Sequence, residues 1–237
     1  MFFVAGTAQS GLLSSLNSTL ILTAVIVLGI VMTFCVSSLL SRTVLKGVPS
    51  SFTLELPPYR RPQIGKVIVR SICDRTLFVL GRAVAVAAPA GLLIWVLANV
   101  NIGGLTILAH CTRFLDPFAH LIGLDGVILM AFILGFPANE IVFPIILMAY
   151  MATGNLTDLP SLMALKGILV QNGWTWLTAL CTVLFSLMHW PCSTTCLTIH
   201  KETGSWKWTA AAMAIPTGVG MALCFLVATA ARLLGLA

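Results

Sequence analysis

Residues 167–199 form a run of 33 residues that contains no Asp, Glu, Lys or Arg. A helix needs about 20 apolar residues to cross the hydrocarbon core of a bilayer. The run is therefore long enough to span a membrane and too long to do so as one straight helix. We predict that it breaks at Gln171–Trp174, "QNGW", and again at His189–Cys192, "HWPC". This pattern predicts a membrane-embedded chain with interrupted helices.

Composition supports a membrane protein, because 59% of the residues are hydrophobic and only 8% are charged, against about 25% in a soluble domain. The net charge of +6 does not indicate nucleic-acid binding, since seven of the thirteen Lys and Arg residues lie between Arg42 and Arg75. A basic segment between apolar helices is typical of a cytoplasmic loop. We therefore expect the lipid bilayer as a partner and no nucleic acid.

The apolar pattern predicts an all-α, polytopic transmembrane bundle with broken or re-entrant helices. We divide the chain into a first transmembrane helix (1–40), a cytoplasmic basic loop with an interfacial helix (41–76) and a larger transmembrane domain (77–237). Five spans are expected, which places 101–125 outside and Arg232 in the cytoplasm. No β pattern is visible. The predicted spans are 18–40, 77–100, 126–153 with interruptions at Gly135–Pro137 and Pro144, one within 167–199, and 208–231.

Glu140 is the acidic residue placed deepest in an apolar segment, within "GFPANE". An ionisable side chain near the bilayer midplane costs about 2.5–3.5 kcal/mol, so a functional role is the default interpretation. Pro137 removes a helix hydrogen bond, Gly135 tolerates the bend, and the freed carbonyls, with Asn139, are candidate cation ligands. The alternative is a packing kink at Pro137 with Glu140 paired to Arg82 or another polar neighbour.

A second candidate group lies in "HWPCSTTC", where His189, Cys192 and Cys196 supply nitrogen and sulfur. If a helix begins at Pro191, the two cysteines, four residues apart, lie on one face. Imidazole and thiolate suit borderline divalent metals, so these residues with Glu140 suit Fe²⁺, Mn²⁺ or Zn²⁺. The alternatives are inert buried thiols and an interfacial histidine.

Catalytic motifs are absent from the sequence. No GxxxxGK[ST] loop is present, and no nucleophile–base pair is visible. We therefore expect neither an enzyme nor a permanently bound cofactor.

Three segments resemble the C-terminal half of the membrane domain of ferrous iron transport protein B: "LELPPYRRP", "GLDGVILMAFILGFPANEIVFPIILMAYM" and "LMHWPCSTTCLTIHKETGSWKW". The resemblance runs from about Ser18 to the end of the chain. It implies a protein of the inner membrane that takes up Fe²⁺ and forms the second of two Gate repeats. "GFPAN" and "WPCST" correspond to "GFGCN" and "PCSAR" or "PCNGR" of the first repeat. Cys192 then matches a family cysteine, and Ala138 stands where the first repeat has one.

The resemblance also implies a partner, since this chain carries neither the GTP-binding domain nor the first Gate repeat. We expect that N-terminal half as a separate chain or a missing region; a homo-oligomer is an open alternative. Two other functions stay open on the sequence. One is an assembly module without transport, and the other is a Gate-type carrier for nucleosides or small solutes with contacts around "QNGWTW", residues 171–176.

Overall fold

The structure is a computed structural model, and it describes residues 12–43, 63–70, 72, 76–156 and 162–235. These residues are almost entirely helical, which confirms the predicted all-α membrane class. The helices are α1 (Leu12–Thr43), α2 (Ile64–Arg70), α3 (Phe78–Asn99), α4 (Ile107–Leu121), α5 (Gly126–Leu134), α6 (Val142–Met151), α7 (Leu162–Gln171), α8 (Trp176–Met188), α9 (Ser193–Thr203) and α10 (Trp206–Leu233), and the strands are β1 (Asn101–Ile102) and β2 (Leu105–Thr106).

Four helical segments of the described chain are long and apolar enough to cross a membrane. They are Thr19–Arg42 in α1, Val79–Asn99 in α3, Trp176–Thr203 across α8 and α9, and Trp206–Leu233 in α10. Three of these agree within a few residues with predicted spans. Pro89 and Pro216 lie inside α3 and α10 without ending them, as is common in membrane-spanning helices.

Contacts between helix ends define two sides of the bundle. Leu40 near the end of α1 and Trp208 near the start of α10 line one cavity. This end carries Arg42, and we call it the basic side. At the far end of α10, a helix of roughly 42 Å, Arg232 donates from Nη2 to the carbonyl of His120 at the end of α4. We call that end the hairpin side, because a hairpin of helices begins and ends there.

We expected Arg232 in the cytoplasm together with the basic loop, but the structure places Arg232 and Arg42 at opposite ends of the bundle. The hydrogen bond from Arg232 to His120 places Arg232 beside α4, on the side opposite Arg42. The physical reason is the segment 126–153, which we expected to cross the membrane and which does not.

Helices α5 and α6 form a re-entrant hairpin in place of a third span. The Tyr150 hydroxyl near the end of α6 donates to the Asp125 carboxylate just before α5. Asn99 at the end of α3 donates to the carbonyl of Gly154, just after α6, at 2.9 Å. Both ends of 126–153 therefore lie on the hairpin side. Each helix is roughly 15 Å long, half of a hydrocarbon core of about 30 Å, so the hairpin is long enough for its tip to reach mid-depth.

Two smaller predictions also need correction. Pro144 does not interrupt the chain, because it lies in the first turn of α6, where a missing N–H costs little. The expectation of no β structure misses a two-residue hairpin in which Ile102 pairs with Leu105. Gly103 and Gly104 form its turn with φ of 64° and 86°, values that glycine adopts without strain.

The predicted amphipathic stretch within 101–125 is the helix α4, which turns by 109° into α5. The two helices cross very closely at Gly126, where an added Cβ would lie 2.1 Å from the carbonyl oxygen of Thr112. Because both ends of α4 lie on the hairpin side, next to β2 and to α10, the helix lies along that surface.

The predicted breaks of 167–199 both occur, since α7 ends at Gln171 and α8 ends at Met188. Helix α8 packs antiparallel against α10, where the Cys224 thiol donates to the carbonyl of Cys181 at 3.4 Å. Phe185 is fully buried between them and α5. The core thus forms where the re-entrant hairpin meets the broken span.

Part of the predicted basic loop (44–62, 71 and 73–75) lies outside the described residues, as does the side chain of Arg82, the alternative partner of Glu140. The described part of the predicted interfacial helix is α2.

Candidate functional site

The first helix break forms the tip of the re-entrant hairpin. Helix α5 ends at Leu134, residues 135–137 form a turn, and Asn139–Ile141 form a 3₁₀ turn before α6. Pro137 disfavours helical geometry at the preceding residue, which explains where the helix stops. Gly135 has φ −73°, a value that any residue adopts. The glycine is therefore needed because a larger side chain would not fit, and not because of its backbone freedom. An added Cβ there would lie 2.3 Å from Cγ2 of Val142.

The second break separates α8 from α9 within the broken span. His189 has an extended backbone, and Cys192 is the N-cap of α9. Pro191 therefore lies before the helix, whereas the shared-face argument for the cysteines assumed a helix that began at Pro191. Cys196 still lies one helical turn after Cys192, since its N–H donates to the carbonyl of Cys192 at 3.0 Å.

The two breaks meet at the centre of the bundle. The N–H of Ser193 donates to the carbonyl of Phe136 at 2.9 Å, and its hydroxyl donates to the carbonyl of Pro137 at 3.4 Å. The rings of Phe132 and His189 pack beside this contact with centroids 5.0 Å apart. Irregular backbone at membrane depth persists only where its polar groups find partners, and each break supplies partners to the other.

The carbonyls of residues 135–139 in the first break are each hydrogen-bonded within the protein. Those of Gly135, Ala138 and Asn139 accept from backbone N–H groups of the same turn, while Ser193 occupies the other two. Each carbonyl oxygen retains a second lone pair. Backbone alone therefore offers less to a cation than the sequence suggested, and the side chains carry more of any binding role.

Glu140 and Asn139 lie at the hairpin tip, and both side chains are exposed. The Glu140 carboxylate makes no hydrogen bond or ion pair with any residue whose side chain the structure describes. A carboxylate at mid-depth is expensive to leave unpartnered. The tip thus exposes the Glu140 carboxyl group at the surface of this chain.

His189 is oriented in the way that many metal-binding histidines are. Its Nδ1 lies 2.8 Å from the carbonyl of Ser186. Because a carbonyl only accepts, Nδ1 carries the proton, and in the neutral ring Nε2 offers a lone pair. Nε2 is buried and has no hydrogen-bond partner in the described chain. A backbone carbonyl that fixes the tautomer in this way is the usual outer-shell partner of a ligating imidazole.

The two cysteines of the second break differ in their surroundings. Cys192 is half-buried, and its Sγ lies 3.2 Å from the hydroxyl of Thr194 and 3.1 Å from that of Thr195. Cys196 is buried, and its thiol donates to the carbonyl of Pro191 at 3.4 Å. The Cys192 sulfur is therefore the more accessible of the two.

The described residues contain no group of three His, Cys, Asp or Glu side chains close enough to hold a metal ion. The candidates are instead divided between two arms. Asn139 and Glu140 belong to the tip of the hairpin, and His189, Cys192 and Cys196 belong to the second break.

Sequence reasoning missed a polar network that fixes the hairpin on its own side. Asp125 accepts from the Ile128 N–H at 2.7 Å and from the Tyr150 hydroxyl. Tyr150 in turn accepts from Trp174 Nε1 at 2.8 Å. An Asp directly before an apolar helical run is a helix-cap signal, so Asp125 was detectable. Its pairing with Tyr150 was not, because it joins residues 25 positions apart.

Comparison with known proteins supports the resemblance seen in the motifs. The family model for the C terminus of ferrous iron transport protein B matches residues 22–73, and the Gate model, described as nucleoside recognition, matches residues 80–206. No solved structure is significantly similar to the chain.

Three relatives illustrate the similarity, and each bears the name Fe(2+) transporter FeoB. The protein of Staphylococcus aureus (strain COL) is 30% identical over 222 residues, which cover 89% of this chain and 31% of that protein. The protein of Methanocaldococcus jannaschii is 26% identical over 213 residues, which cover 84% of this chain and 30% of that protein. The protein of Campylobacter jejuni is 23% identical over 197 residues, which cover 77% of this chain and 32% of that protein. The chain thus spans about a third of the length of these relatives. Since the Gate model covers more than half of its residues, the chain is a multi-pass membrane protein of the Gate family.

Proposed function

We propose that this protein is a ferrous iron permease segment of the cell inner membrane and forms the C-terminal half of an Fe²⁺ translocation pathway. The meeting of two helix breaks at mid-depth, with Glu140 exposed beside them, carries the proposal. The names of the relatives supply the ion. Interrupted helices that meet near the bilayer midplane are the usual site of ion coordination in secondary transporters.

The proposed ligands combine hard and softer donors. Glu140 and Asn139 offer oxygen from the first break. His189 Nε2 and Cys192 Sγ offer nitrogen and sulfur from the second, with the buried Cys196 behind them. Imidazole and thiolate discriminate against Mg²⁺ and Ca²⁺, which prefer oxygen alone. The mixed set suits Fe²⁺ as cargo, bound without the closed cage that would retain it.

We propose further that the remaining ligands come from an N-terminal half that contains the other Gate repeat. In transporters built from repeats, the ion site lies at the interface between repeats. The exposed Glu140 and the split candidate set agree with an open half-site. On this proposal, GTP hydrolysis belongs to that partner, and this chain alone neither transports nor catalyses.

The test is uptake of radioactive Fe²⁺ by cells that lack their own ferrous transporter and express this chain with a complementary N-terminal half. Glu140→Gln and Cys192→Ser are each expected to lower the initial rate by about tenfold or more, equivalent to about 1.4 kcal/mol. Glu202→Gln and Cys35→Ser are matched controls, because both residues are exposed and neither lies at a break. Normal uptake in the first two variants, at equal membrane levels, would contradict the ligand assignment.

A second candidate, a nucleoside carrier, is favoured by the description of the Gate model. It requires aromatic and amide groups that face a solute around residues 171–176. In the structure Trp174 is buried and its Nε1 donates to Tyr150, while the Asn172 amide donates to the carbonyl of Ile168 at 2.8 Å. Saturable nucleoside uptake that is indifferent to Fe²⁺ would support this candidate. Co-purification with a partner but no uptake of either solute would support an assembly module.

A further inference from the structure

A cavity of about 370 Å³ lies between α3 and the re-entrant hairpin. Pro137 and Ala138 of the first break line its inner end. Asn155 and Leu156, which follow α6 and are exposed, line its outer end. The cavity therefore connects the mid-depth break to the hairpin side.

Small residues of α3 create this space. Ala87, Ala90 and Gly91 lie on the face of α3 that lines the cavity, as expected for positions three and four residues apart. A Cβ added to Gly91 would meet no atom within 4 Å. The opposite wall is formed by the hairpin, with Met148 of α6 and Ile141 of the break.

A second cavity of about 300 Å³ continues the first toward the surface. The two share Met148 and Gly154 as lining residues. The outer cavity has more polar residues, among them Asn101 and Thr106 of the β-hairpin and Thr112 of α4. Since this β-hairpin lies at the hairpin-side surface, the two cavities together extend from that surface to the break.

We propose that this cleft is a water-filled access route by which a cation reaches the first break from the hairpin side. The inference rests on the proposed function for the identity of the cation. The volume is many times the roughly 10–15 Å³ that a single water requires. The polar side chains lie toward the outer end, at Asn155 and in the second cavity, whereas the inner part is lined mainly by apolar side chains. The cleft therefore offers a cation few ligands that would retain it before it reaches the break.

The first test narrows the cleft. Gly91→Leu places a branched side chain in the cavity and is expected to lower initial Fe²⁺ uptake at least about tenfold. Gly81→Leu is the matched control on the same helix, because a Cβ there also meets no atom within 4 Å and Gly81 does not line the cavity. Equal uptake by the two variants, at equal membrane levels, overturns the route.

The second test measures water access and does not depend on the metal. A positively charged, membrane-impermeant methanethiosulfonate added from the hairpin side is expected to label Ala90→Cys above the unsubstituted chain. Ala85→Cys is the control, since Ala85 is exposed and lies about 140° away around α3. Failure to label Ala90→Cys overturns the water-filled cleft. If Ala90→Cys is labelled but Glu140→Gln takes up Fe²⁺ normally, the result contradicts Glu140 as a ligand and still supports the water-filled cleft.

Discussion

Tyr150→Phe tests whether the hydrogen-bond network at the hairpin side holds the re-entrant hairpin in place. The change removes one oxygen and keeps the ring. That oxygen donates to the Asp125 carboxylate and accepts from Trp174 Nε1 at 2.8 Å. It therefore joins the start of α5, the end of α6 and the segment before α8.

The expected cost follows from these two contacts. A hydrogen bond to a charged group contributes about 1.5–3 kcal/mol, and a neutral one about 1 kcal/mol. Because Tyr150 and Asp125 are only half-buried, we expect the lower part of the sum, about 2.5–3 kcal/mol. For a protein of 150–250 residues each kcal/mol shifts Tm by about 2–4 °C, so Tm should fall by about 5–12 °C.

The assay is thermal unfolding of the purified protein in detergent, performed as a double-mutant cycle with Asp125→Ala, which removes both oxygens that could pair with Tyr150. Residues that share a hydrogen bond couple by about 0.5–3 kcal/mol, whereas independent sites add within about 0.3–0.5 kcal/mol. We expect the double variant to lose at least about 1 kcal/mol less than the sum of the single losses. Additive losses would refute the claim that this bond ties the two hairpin ends together.

Two further predictions concern topology and helix packing. Leu156→Cys and Arg113→Cys should react with an impermeant maleimide from the same side of the membrane, because α5 and α6 return to the side they leave; labelling from opposite sides would restore a third span. Gly220→Ala should destabilise the protein by about 1–3 kcal/mol, since its Cβ would lie 2.9 Å from that of Met188. Gly218→Ala on the same helix meets nothing within 4 Å and should be neutral or stabilising in thermal unfolding.

Local chemistry explains why many elements were predictable. A helix that crosses lipid must satisfy its backbone within itself and expose apolar side chains, so long apolar runs predicted the spans within α1, α3 and α10 to within a few residues. Pro137 and Pro191 each lack an N–H donor, and the helices are interrupted at both. The choice of Glu140, Asn139, His189, Cys192 and Cys196 as ligands remains a prediction that awaits the uptake measurements.

Other features depend on contacts between distant residues. The run 126–153 is long enough to cross a membrane, and its sequence does not distinguish a span from a hairpin that turns back. The hydrogen bond from Tyr150 to Asp125 and the close approach of Val142 to Gly135 show that the segment forms a hairpin and does not cross as a span. This choice reverses the side on which Arg232 lies.

The sequence by itself determined that this chain lies in a membrane, that it is helical, that its helices break near Pro137 and Pro191, and which family it resembles. These properties follow from hydropathy, proline chemistry and local motifs. Only the tertiary structure decided that the two breaks meet through Ser193 and Phe136 and that small residues of α3 leave a cleft beside them. The reason is that polar groups at a break must find partners, and Ser193 finds its two, the carbonyls of Phe136 and Pro137, 56 or more residues away along the chain.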